Sequence, residues 1–266
     1  MVMSNNILSL QSVSKYFTTS DGIFSSGSQF AALDNVSLDI KEGSSLGIVG
    51  ESGSGKTTIA RLMCSIYQAD RGSLFYKDKD ILLLNKDEKK EYRKNVQMVF
   101  QDPNNTLNPK LTIKSSLIDG IKKYITSDKN KIKEHLSNLM EMVGLPYEYL
   151  DRYPHEFSGG QRQRISIARA LSINPQVIIA DEPVSSLDVS VQAQILNLMK
   201  SLQKNGITLI LISHSLAVVS NLCENIAVMQ KGRLLEYGNT DNVLSNPKTE
   251  YTKNLLSASS YTLMKK

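Results

Sequence analysis

A glycine-rich stretch of eight residues, Gly50-Glu-Ser-Gly-Ser-Gly-Lys-Thr57, constrains this chain more than any other feature of its sequence. It fits the pattern G-x-x-x-x-G-K-[ST] and lies between an apolar run, Leu46–Val49, and a segment with helical periodicity. The predicted apolar face of that helix consists of Ile59, Leu62, Met63, Ile66 and Tyr67. Glycines in such a loop let backbone N–H groups point at phosphate oxygens beside a helix N-terminus. The pattern predicts a phosphate-binding loop in which Lys56 holds the β- and γ-phosphates and Thr57 ligates Mg²⁺.

Other short apolar runs alternate with helical patterns, which predicts an α/β fold with a mainly parallel sheet. Three of these runs are Val96–Phe100, Val177–Ala180 and Ile207–Ile212. Ligands of open α/β sheets gather beyond the carboxyl ends of the strands. Because these runs are followed by Gln101, by the pair Asp181 and Glu182, and by His214, we expect these side chains to share one site with the glycine-rich loop.

The two carboxylates that follow Val177–Ala180 have different predicted roles. Asp181 would hold the Mg²⁺ shell, and Glu182 would act as general base toward the attacking water. Helix capping is the alternative for an Asp-Glu pair, although the preceding phosphate-binding loop favours the functional interpretation. Taken alone, His214 is more typical of a surface or satisfied core histidine, and Gln101 of an ordinary loop residue.

A helical segment, residues 112–171, interrupts the predicted strands. Within it Ile132, Leu136, Leu139, Met140 and Val143 follow helical spacing, and Gly144 and Pro146 end the helix. Further along, Ser158-Gly-Gly-Gln161 opens another predicted helix with an N-cap serine and two glycines that expose backbone amides. This helix start would bind an anion, but plain capping explains it equally well.

Composition narrows the class of protein without selecting a partner. The 266 residues are 41% hydrophobic and 21% charged, which is ordinary for a globular chain. The longest strongly apolar stretches are far shorter than the ~20 residues of a membrane-spanning helix, and the first ten residues lack a signal-peptide pattern, so we expect a cytoplasmic protein. The net charge of +5 suits anionic surfaces in general, and Cys64 and Cys223 are expected to be buried apolar residues.

Taken in order, these motifs resemble the ATPases of the ABC transporter family over about residues 8–256. The glycine-rich loop resembles Walker A, and Val99-Phe-Gln101-Asp-Pro103 resembles the Q-loop. The family signature is matched by Phe157-Ser-Gly-Gly-Gln161, and Walker B with its catalytic glutamate by residues 177–183. The D-loop and the switch histidine are matched by Ser186-Leu-Asp188 and Ile212-Ser-His214.

The resemblance implies a P-loop NTPase (RecA-like) core, an antiparallel β subdomain near the N-terminus and an inserted α-helical subdomain. We expect a single ATPase domain over residues 8–256, with the core at about 8–101 and 172–240, the helical subdomain at about 102–171, and a C-terminal tail at 241–266. It also implies a dimer in which each ATP lies between Walker A of one subunit and the signature of the other. The implied catalytic residues are Glu182, His214 and Gln101, and the implied Mg²⁺ ligands are Thr57, Gln101 and Asp181. The implied ATP-binding residues are Tyr16 on adenine, with Phe17 as the alternative, then Gly50, Glu51, Ser52, Gly53, Ser54, Gly55, Lys56, Thr57, Thr58, Ser158, Gly159, Gly160 and Gln161.

Within the family, the chain is similar to importers of oligopeptides, dipeptides, and nickel or metal chelates, and most to their F-type subunit. The residues that carry this likeness are the Ser/Gly-containing insertion between Tyr16 and Ala31, the stretches 100–109 and 152–157, Asn246-Pro247 and Tyr251-Thr-Lys253. The likeness implies a homologous D-type ATPase partner, two transmembrane permeases, an extracellular binding protein acting indirectly, no nucleic acid, and a location at the cytoplasmic face of the membrane. Ser215 replaces the usual Asp after the switch histidine, and Thr249-Glu250 replaces the usual His-Pro before Tyr251.

Alternative functions remain at this point. An exporter ATPase is the nearest, although exporters more often carry a fused membrane domain. An ABC ATPase acting on nucleic acid or ribosomes is compatible with the pI of 9.0, although such proteins usually carry two ATPase cores or a long coiled coil. A GTPase is rejected, because Asn85-Lys-Asp-Glu88 departs from the guanine-selecting N-K-x-D and follows the phosphate-binding loop too soon.

Overall fold

The computed structural model describes residues 5–19, 28–102, 106–185 and 187–258. Contacts within the chain divide it into two compact units. The first unit combines the described residues up to Tyr92 with those from Thr208 onward, and the second runs from Arg93 to Ile207. The prediction of an α/β fold with a parallel-rich sheet and an antiparallel N-terminal sheet is confirmed.

The first unit contains an antiparallel sheet with the strand order β2-β1-β4-β5. Its strands are β1 (Asn6–Thr19), β2 (Ser28–Lys41), β4 (Arg71–Tyr76) and β5 (Lys79–Asp80). The register places apolar residues opposite each other, since Leu10 of β1 pairs with Leu38 of β2 and with Leu74 of β4. These side chains are nearly inaccessible to water, so the pairing buries a shared apolar face. The antiparallel subdomain therefore lies where the sequence predicts it.

A second set of strands in the same unit has the order β10-β9-β3-β8. These strands are β3 (Ser45–Val49), β8 (Thr208–Ser213), β9 (Asn225–Gln230) and β10 (Arg233–Asn239). β3 is parallel to both β8 and β9, and β10 is antiparallel to β9. All five residues of β3 and all six of β8 are buried, as expected for parallel strands covered on both faces. The predicted runs Leu46–Val49 and Ile207–Ile212 match these strands to within a residue.

Helices of the first unit follow its strands. They are α1 (Lys56–Met63), α7 (Leu216–Leu222), α8 (Thr240–Ser245) and α9 (Glu250–Ala258), while α2 (Lys86–Asn95) begins in this unit and ends in the second. The prediction that Ile66 and Tyr67 extend the apolar face of α1 is wrong. Ser65 has a φ of 53°, which ends the helical path, and the Ile66 side chain is 49% exposed.

The second unit pairs β6 (Val96–Val99) in parallel with β7 (Val177–Asp181) and contains a group of helices. The helices are α3 (Ile113–Tyr124), α4 (Lys129–Met142), α5 (Gly159–Leu171) and α6 (Val189–Lys204), with short 3₁₀ turns at Tyr147–Asp151 and Pro154–Glu156. α4 begins where the Asp128 carboxylate accepts hydrogen bonds from two backbone amides and ends before Gly144, whose φ is 65°. The end of the helix at Gly144 agrees with the prediction.

Within the residue ranges given above, each helix is too short or too polar to cross a bilayer. The two cysteines are partly or wholly buried, since Cys223 is 5% exposed and Cys64 is intermediate. Burial raises the pKa of the Cys64 thiol to about 12 and raises the pKa of the Cys223 thiol as well. Both thiols therefore stay protonated near neutral pH, as expected for structural rather than reactive cysteines.

Candidate active site

The predicted phosphate-binding loop connects β3 to α1 with a backbone that requires glycine. Gly50 has a φ of 151°, and a Cβ there would lie 2.2 Å from the carbonyl oxygen of Met229. Gly55, the N-cap of α1, has a φ of 103°, and its Cβ would lie 2.6 Å from the carbonyl oxygen of Ala32. Both positions combine a left-handed backbone with close contact to other main chain, so any larger residue would distort the loop.

Lys56 lies inside this loop. Its side chain is buried, and its Nζ donates hydrogen bonds to the carbonyl oxygens of Gly50 and Glu51, both at 2.7 Å. Ser54 Oγ lies 3.4 Å from the same nitrogen. The ammonium is thus held by two main-chain carbonyl oxygens of the loop, next to the N-terminus of α1, where an anion is favoured. Thr57 and Thr58 follow in the first turn of α1 and are partly exposed.

Two partners of the loop's main chain come from distant parts of the first unit. The N–H of Gly232, in the turn between β9 and β10, donates to the carbonyl oxygen of Ser54 at 3.0 Å. The N–H of Glu51 donates to the hydroxyl of Tyr251, in the first turn of α9, at 3.0 Å. Sequence reasoning missed both contacts. Tyr251 had been singled out for family likeness alone, and Gly232 carries a turn signal that says nothing about its partner.

His214 emerges at the same sheet edge as the phosphate-binding loop. Ser213, the last residue of β8, pairs with Val49, the last residue of β3, so His214 and Gly50 both follow paired residues. The His214 side chain is exposed. The next residue, Ser215, caps α7: its Oγ accepts a hydrogen bond from the Val218 N–H at 3.4 Å. A serine here takes over the capping function that an aspartate can also perform.

Gln101 and Glu182 meet in the second unit. Val99 of β6 pairs with Ala180 of β7, and Gln101 and Glu182 each follow two residues later. Gln101 Nε2 donates to Glu182 Oε2 at 3.3 Å. Glu182 has a φ of 44°, a left-handed conformation that is uncommon for a non-glycine residue and that clusters at functional sites.

Asp181 is the last residue of β7 and is 4% exposed. The sequence placed it just after the strand, whereas the structure includes it in the strand as its final residue. A carboxylate with so little solvent requires charged or hydrogen-bonding partners, and Asp181 does have interactions in the structure. Its position at the carboxyl end of a buried strand suits a ligand of a cation.

Ser158 starts α5 with a capping box. Ser158 Oγ accepts from the Gln161 N–H at 3.3 Å, and Gln161 Oε1 accepts from the Ser158 N–H at 3.0 Å. Gly160 is required for packing, because a Cβ there would lie 2.4 Å from Val191 Cγ1 of α6. Gly159 is different, since its Cβ would approach nothing closer than Leu187 Cδ2 at 3.9 Å. Gly160 therefore allows α5 to pack against α6, and Gly159 leaves the helix start uncovered.

Tyr16, the predicted adenine-stacking residue, lies in β1. Its N–H donates to Asp70 Oδ2 at 2.7 Å, and the Arg71 guanidinium lies 5.7 Å from the centre of its ring. Backbone donation from Tyr16, followed by the hydrogen bond from Lys15, lowers the pKa of the Asp70 carboxyl. The alternative, Phe17, packs against Tyr67 with a ring-centre distance of 5.4 Å and against Phe30 at 6.0 Å.

Some predicted motif residues lie outside the described part of the chain. They are Pro103 at the end of the Q-loop motif, Ser186 at the start of the D-loop motif, and residues 20–27 of the insertion between Tyr16 and Ala31. Asp188, the last residue of the D-loop motif, caps α6 by accepting from the Val191 N–H at 2.9 Å. That hydrogen bond, with one from Ser190, lowers the pKa of the Asp188 carboxyl.

The predicted site residues are divided between the two units. The first unit holds Tyr16, His214 and the loop of residues 50–58, and the second holds Gln101, Asp181, Glu182 and residues 158–161. Each group has hydrogen bonds of its own. In the first unit the Lys56 ammonium donates to main-chain carbonyl oxygens, and in the second Gln101 donates to Glu182 and Ser158 caps the start of α5.

Comparison with known proteins supports this assembly of motifs. The ABC transporter family matches residues 33–185. The oligopeptide transport ATP-binding protein OppF of Lactococcus lactis is 44% identical over 96% of this chain and 80% of its own length. The dipeptide transport ATP-binding protein DppF of Haemophilus influenzae is 45% identical over 95% of this chain and 77% of its own length.

Solved structures that resemble this chain also belong to ABC transporters. The ATP-binding cassette MJ0796, determined as a dimer in a post-hydrolysis state with ADP and Pi, is 29% identical and superposes with a TM-score of 0.77 over 88% of this chain and 98% of its own. CbiO1 of Clostridium perfringens, part of the ABC transporter complex cbiONQ, has a TM-score of 0.77 at 26% identity over 99% of this chain and all of its own. This chain therefore belongs to the ABC transporter family, in which it is an ATP-binding and ATP-hydrolysing subunit.

Proposed function

We propose that this chain powers the uptake of oligopeptides or dipeptides, working at the cytoplasmic face of the membrane with two permease subunits and a homologous D-type ATPase. One observation carries the peptide assignment. Relatives named as oligopeptide and dipeptide transport ATP-binding proteins match at 44–45% identity over 95–96% of the chain, so the likeness extends well beyond the shared ATPase motifs. Nickel or metal-chelate uptake, the other cargo of the resembling group, is the second outcome of the test below.

ATP would bind with its phosphates in the loop of residues 50–58. A phosphate oxygen that displaces the carbonyl partners of Lys56 would form a salt bridge with its buried ammonium. The N-terminus of α1 favours the same negative charge. Tyr16 would stack on adenine. In this proposal the carbonyl groups of Gly50 and Glu51 position the ammonium, and the phosphate oxygens compete for it.

Thr57, Gln101 and Asp181 would hold Mg²⁺. Their hydroxyl, amide and carboxylate oxygens are the hard donors that this cation prefers, and the burial of Asp181 fits a carboxylate whose charge is balanced by a cation. When bound, the ion would neutralise charge on the β- and γ-phosphates. Its remaining coordination would come from phosphate and water oxygens, as is usual for Mg²⁺ at a nucleotide.

Glu182 would take a proton from the attacking water. Its left-handed backbone and its hydrogen bond from Gln101 fix the direction of the carboxylate without neutralising it, because an amide N–H donates but supplies no net charge. His214, exposed at the edge where β8 ends, would sense the γ-phosphate. Through its hydrogen bond, Gln101 would then link the protonation state of Glu182 to the loop that follows β6.

Residues 158–161 would contact the nucleotide of the partner ATPase. The first N–H groups of any helix lack intrahelical partners, and the Ser158 hydroxyl takes the N–H of Gln161 while the uncovered Gly159 leaves the helix end accessible. An anion brought by another subunit is the group that such an end can bind. The dimeric arrangement of MJ0796 with ADP and Pi is consistent with that proposal.

The test measures ATP turnover of this chain alone, of a candidate D-type ATPase alone, and of their mixture, with Lys56→Ala of this chain as the control. We expect strong turnover only in the mixture and its loss with Lys56→Ala. Robust turnover by this chain alone would remove the obligate D-type partner and keep the ATPase.

Cargo is tested in cells that lack this chain. Uptake of a radiolabelled tripeptide and of ⁶³Ni²⁺ is compared after wild-type or Lys56→Ala chain is restored. Recovery of peptide uptake by the wild-type chain alone is the expected result. Recovery of nickel uptake instead would replace the peptide assignment, and recovery of neither would reject importer function for both cargoes.

A further inference from the structure

The peptide group that joins Gly50 to Glu51 is held from both sides. Its carbonyl oxygen accepts from Lys56 Nζ at 2.7 Å, and its N–H donates to the hydroxyl of Tyr251 at 3.0 Å. The C=O and N–H of a trans peptide point in opposite directions in one plane. A hydrogen bond at either end therefore restricts the other end, and the Tyr251 hydroxyl and the Lys56 ammonium are coupled through one rigid unit.

This peptide needs external support because its own backbone does not fix it. Gly50 has a φ of 151°, and glycine samples such regions with little steric restriction, so rotation of the following peptide meets a low barrier. The loop's second support, from Gly232, acts on the carbonyl of Ser54, four residues further along. Tyr251 thus acts on the part of the loop where the ammonium of Lys56 is held.

Tyr251 is itself held firmly by an anchor at the start of α9. Glu236 of β10 is 8% exposed, and its carboxylate accepts from the N–H of Thr249 at 2.7 Å, from the hydroxyl of Thr249 at 2.7 Å and from the N–H of Lys248 at 3.0 Å. The Thr249 hydroxyl also accepts from the N–H of Thr252, as an N-cap does. The first turn of α9, which contains Tyr251, is fixed to β10 by these bonds.

We propose that Tyr251 is a positioning residue for the phosphate-binding loop: its hydroxyl orients the Gly50–Glu51 peptide and, through it, the ammonium of Lys56. The inference rests on the proposed contact of Lys56 with the β- and γ-phosphates and extends it to a residue 200 positions after Glu51. It gives the C-terminal helix a defined effect on nucleotide affinity. Burial raises the pKa of the Tyr251 hydroxyl, so the group stays neutral in the physiological range and accepts this bond as a phenol.

The test replaces Tyr251 by Phe, which keeps the ring and removes only the hydroxyl. The matched control is Tyr237→Phe, because the Tyr237 hydroxyl also makes a single hydrogen bond to main chain, donating to the carbonyl oxygen of Asp39 at 3.0 Å in the same unit but away from the loop. For the full-length chain we expect Tyr251→Phe to raise the Kd for Mg-ATP about three- to ten-fold, the equivalent of one ordinary hydrogen bond. Tyr237→Phe should leave the Kd unchanged.

Steady-state kinetics separate positioning from a loss of folded protein. In the mixture with the partner ATPase, Tyr251→Phe should raise KM for ATP by a factor similar to its effect on Kd and change kcat less than about twofold. A purely structural role would lower the melting temperature of both Phe variants and leave Kd and KM at the wild-type values. That result would overturn the proposal.

A measurement on the wild-type chain decides the matter if Tyr251→Phe does not fold. The amide of Glu51 should exchange with solvent deuterium at least about tenfold more slowly than an unprotected amide, because the Tyr251 hydroxyl covers it. An unprotected Glu51 amide would refute the proposal. Failure of wild-type chain to bind ATP would instead reject the proposed role of the loop, and the two failures are therefore distinguishable.

Discussion

A substitution at Glu182 should impair ATP hydrolysis and leave ATP binding intact. Glu182→Gln keeps the side-chain length and an oxygen able to accept from Gln101, but it removes the group that would take a proton. We expect turnover in the mixture to fall about 100- to 10,000-fold, which is the usual contribution of a general base, with the Kd for ATP within about twofold of wild type. Both quantities can be measured on one preparation by phosphate release and by equilibrium binding.

The control for this substitution is Glu91→Gln, which removes a carboxylate from the exposed surface of α2. Its turnover should equal that of wild type. Undiminished turnover in Glu182→Gln would remove the general-base assignment and leave the left-handed backbone of Glu182 without a catalytic explanation.

The places of Lys56 and Glu182 at strand ends could be predicted from the sequence because their motifs are local. Lys56 and Glu182 each lie next to a recognisable strand, and parallel strands bring their carboxyl ends together. Arg71 beneath Tyr16 could not be predicted in the same way, because 55 residues separate them and the contact depends on the pairing of β1 with β4. Local pattern therefore predicts which residues follow a strand better than it predicts their contacts with distant residues.

At the scale of elements, the two glycines at the start of α5 should respond differently to the same change. Gly160→Ala places a Cβ 2.4 Å from Val191 Cγ1, and we expect it to lower the free energy of unfolding by about 1–3 kcal/mol, as overpacking does. Gly159→Ala meets only ordinary contact and should fold with a free energy of unfolding equal to or above that of wild type. Urea unfolding of the purified chains measures both.

A rescue experiment and an activity assay complete this comparison. Val191→Ala in the Gly160→Ala background removes the clashing methyl groups and should recover most of the lost stability. Gly159→Ala, although well folded, should reduce turnover in the mixture if the helix end contacts the partner's nucleotide. Equal unfolding free energies for the two single variants would contradict the packing role of Gly160.

Element boundaries could be predicted where a residue with a clear physical reason marks them. Gly144 ends α4 as expected, since it adopts the left-handed conformation that ends a helix. The end of α1 could not, because Ser65 takes a left-handed φ without being Gly or Asn. The apolar spacing continues through Ile66, so periodicity alone extends the helix too far.

On the scale of the whole molecule, the anchor of the C-terminal helix should make stability depend on pH. Burial would raise the pKa of Glu236, but hydrogen bonds from Thr252, Lys248 and Thr249 outweigh it and lower the pKa to about 2. A carboxylate whose pKa is lowered by folding stabilises the folded state above its unfolded pKa, and this stabilisation is lost as pH falls through the folded value. The relevant window is therefore from about pH 4.5 down to about pH 2.

Glu236→Gln should lower the free energy of unfolding by on the order of 1–2 kcal/mol at pH 6, with solvent screening included. The difference from wild type should shrink as the pH approaches 2, since the wild-type carboxyl is then protonated. Glu42→Gln serves as control, because Glu42 lies at the surface, 3.9 Å from Lys77, and should show little effect at any pH. A difference between Glu236→Gln and wild type that stays constant from pH 6 to pH 2 would contradict the charged anchor.

The long-range organisation also has a consequence for how the chain is made. β3, which leads into the phosphate-binding loop, pairs with β8 and β9, whose residues come about 160–180 positions later. The N–H of Glu51 donates to the hydroxyl of Tyr251, which is 200 positions later. On a translating ribosome, the whole second unit emerges before any of these partners does. The predicted phosphate-binding loop is synthesised long before the residues that contact it, so a nascent chain interrupted before residue 251 lacks the hydroxyl that accepts from the Glu51 N–H.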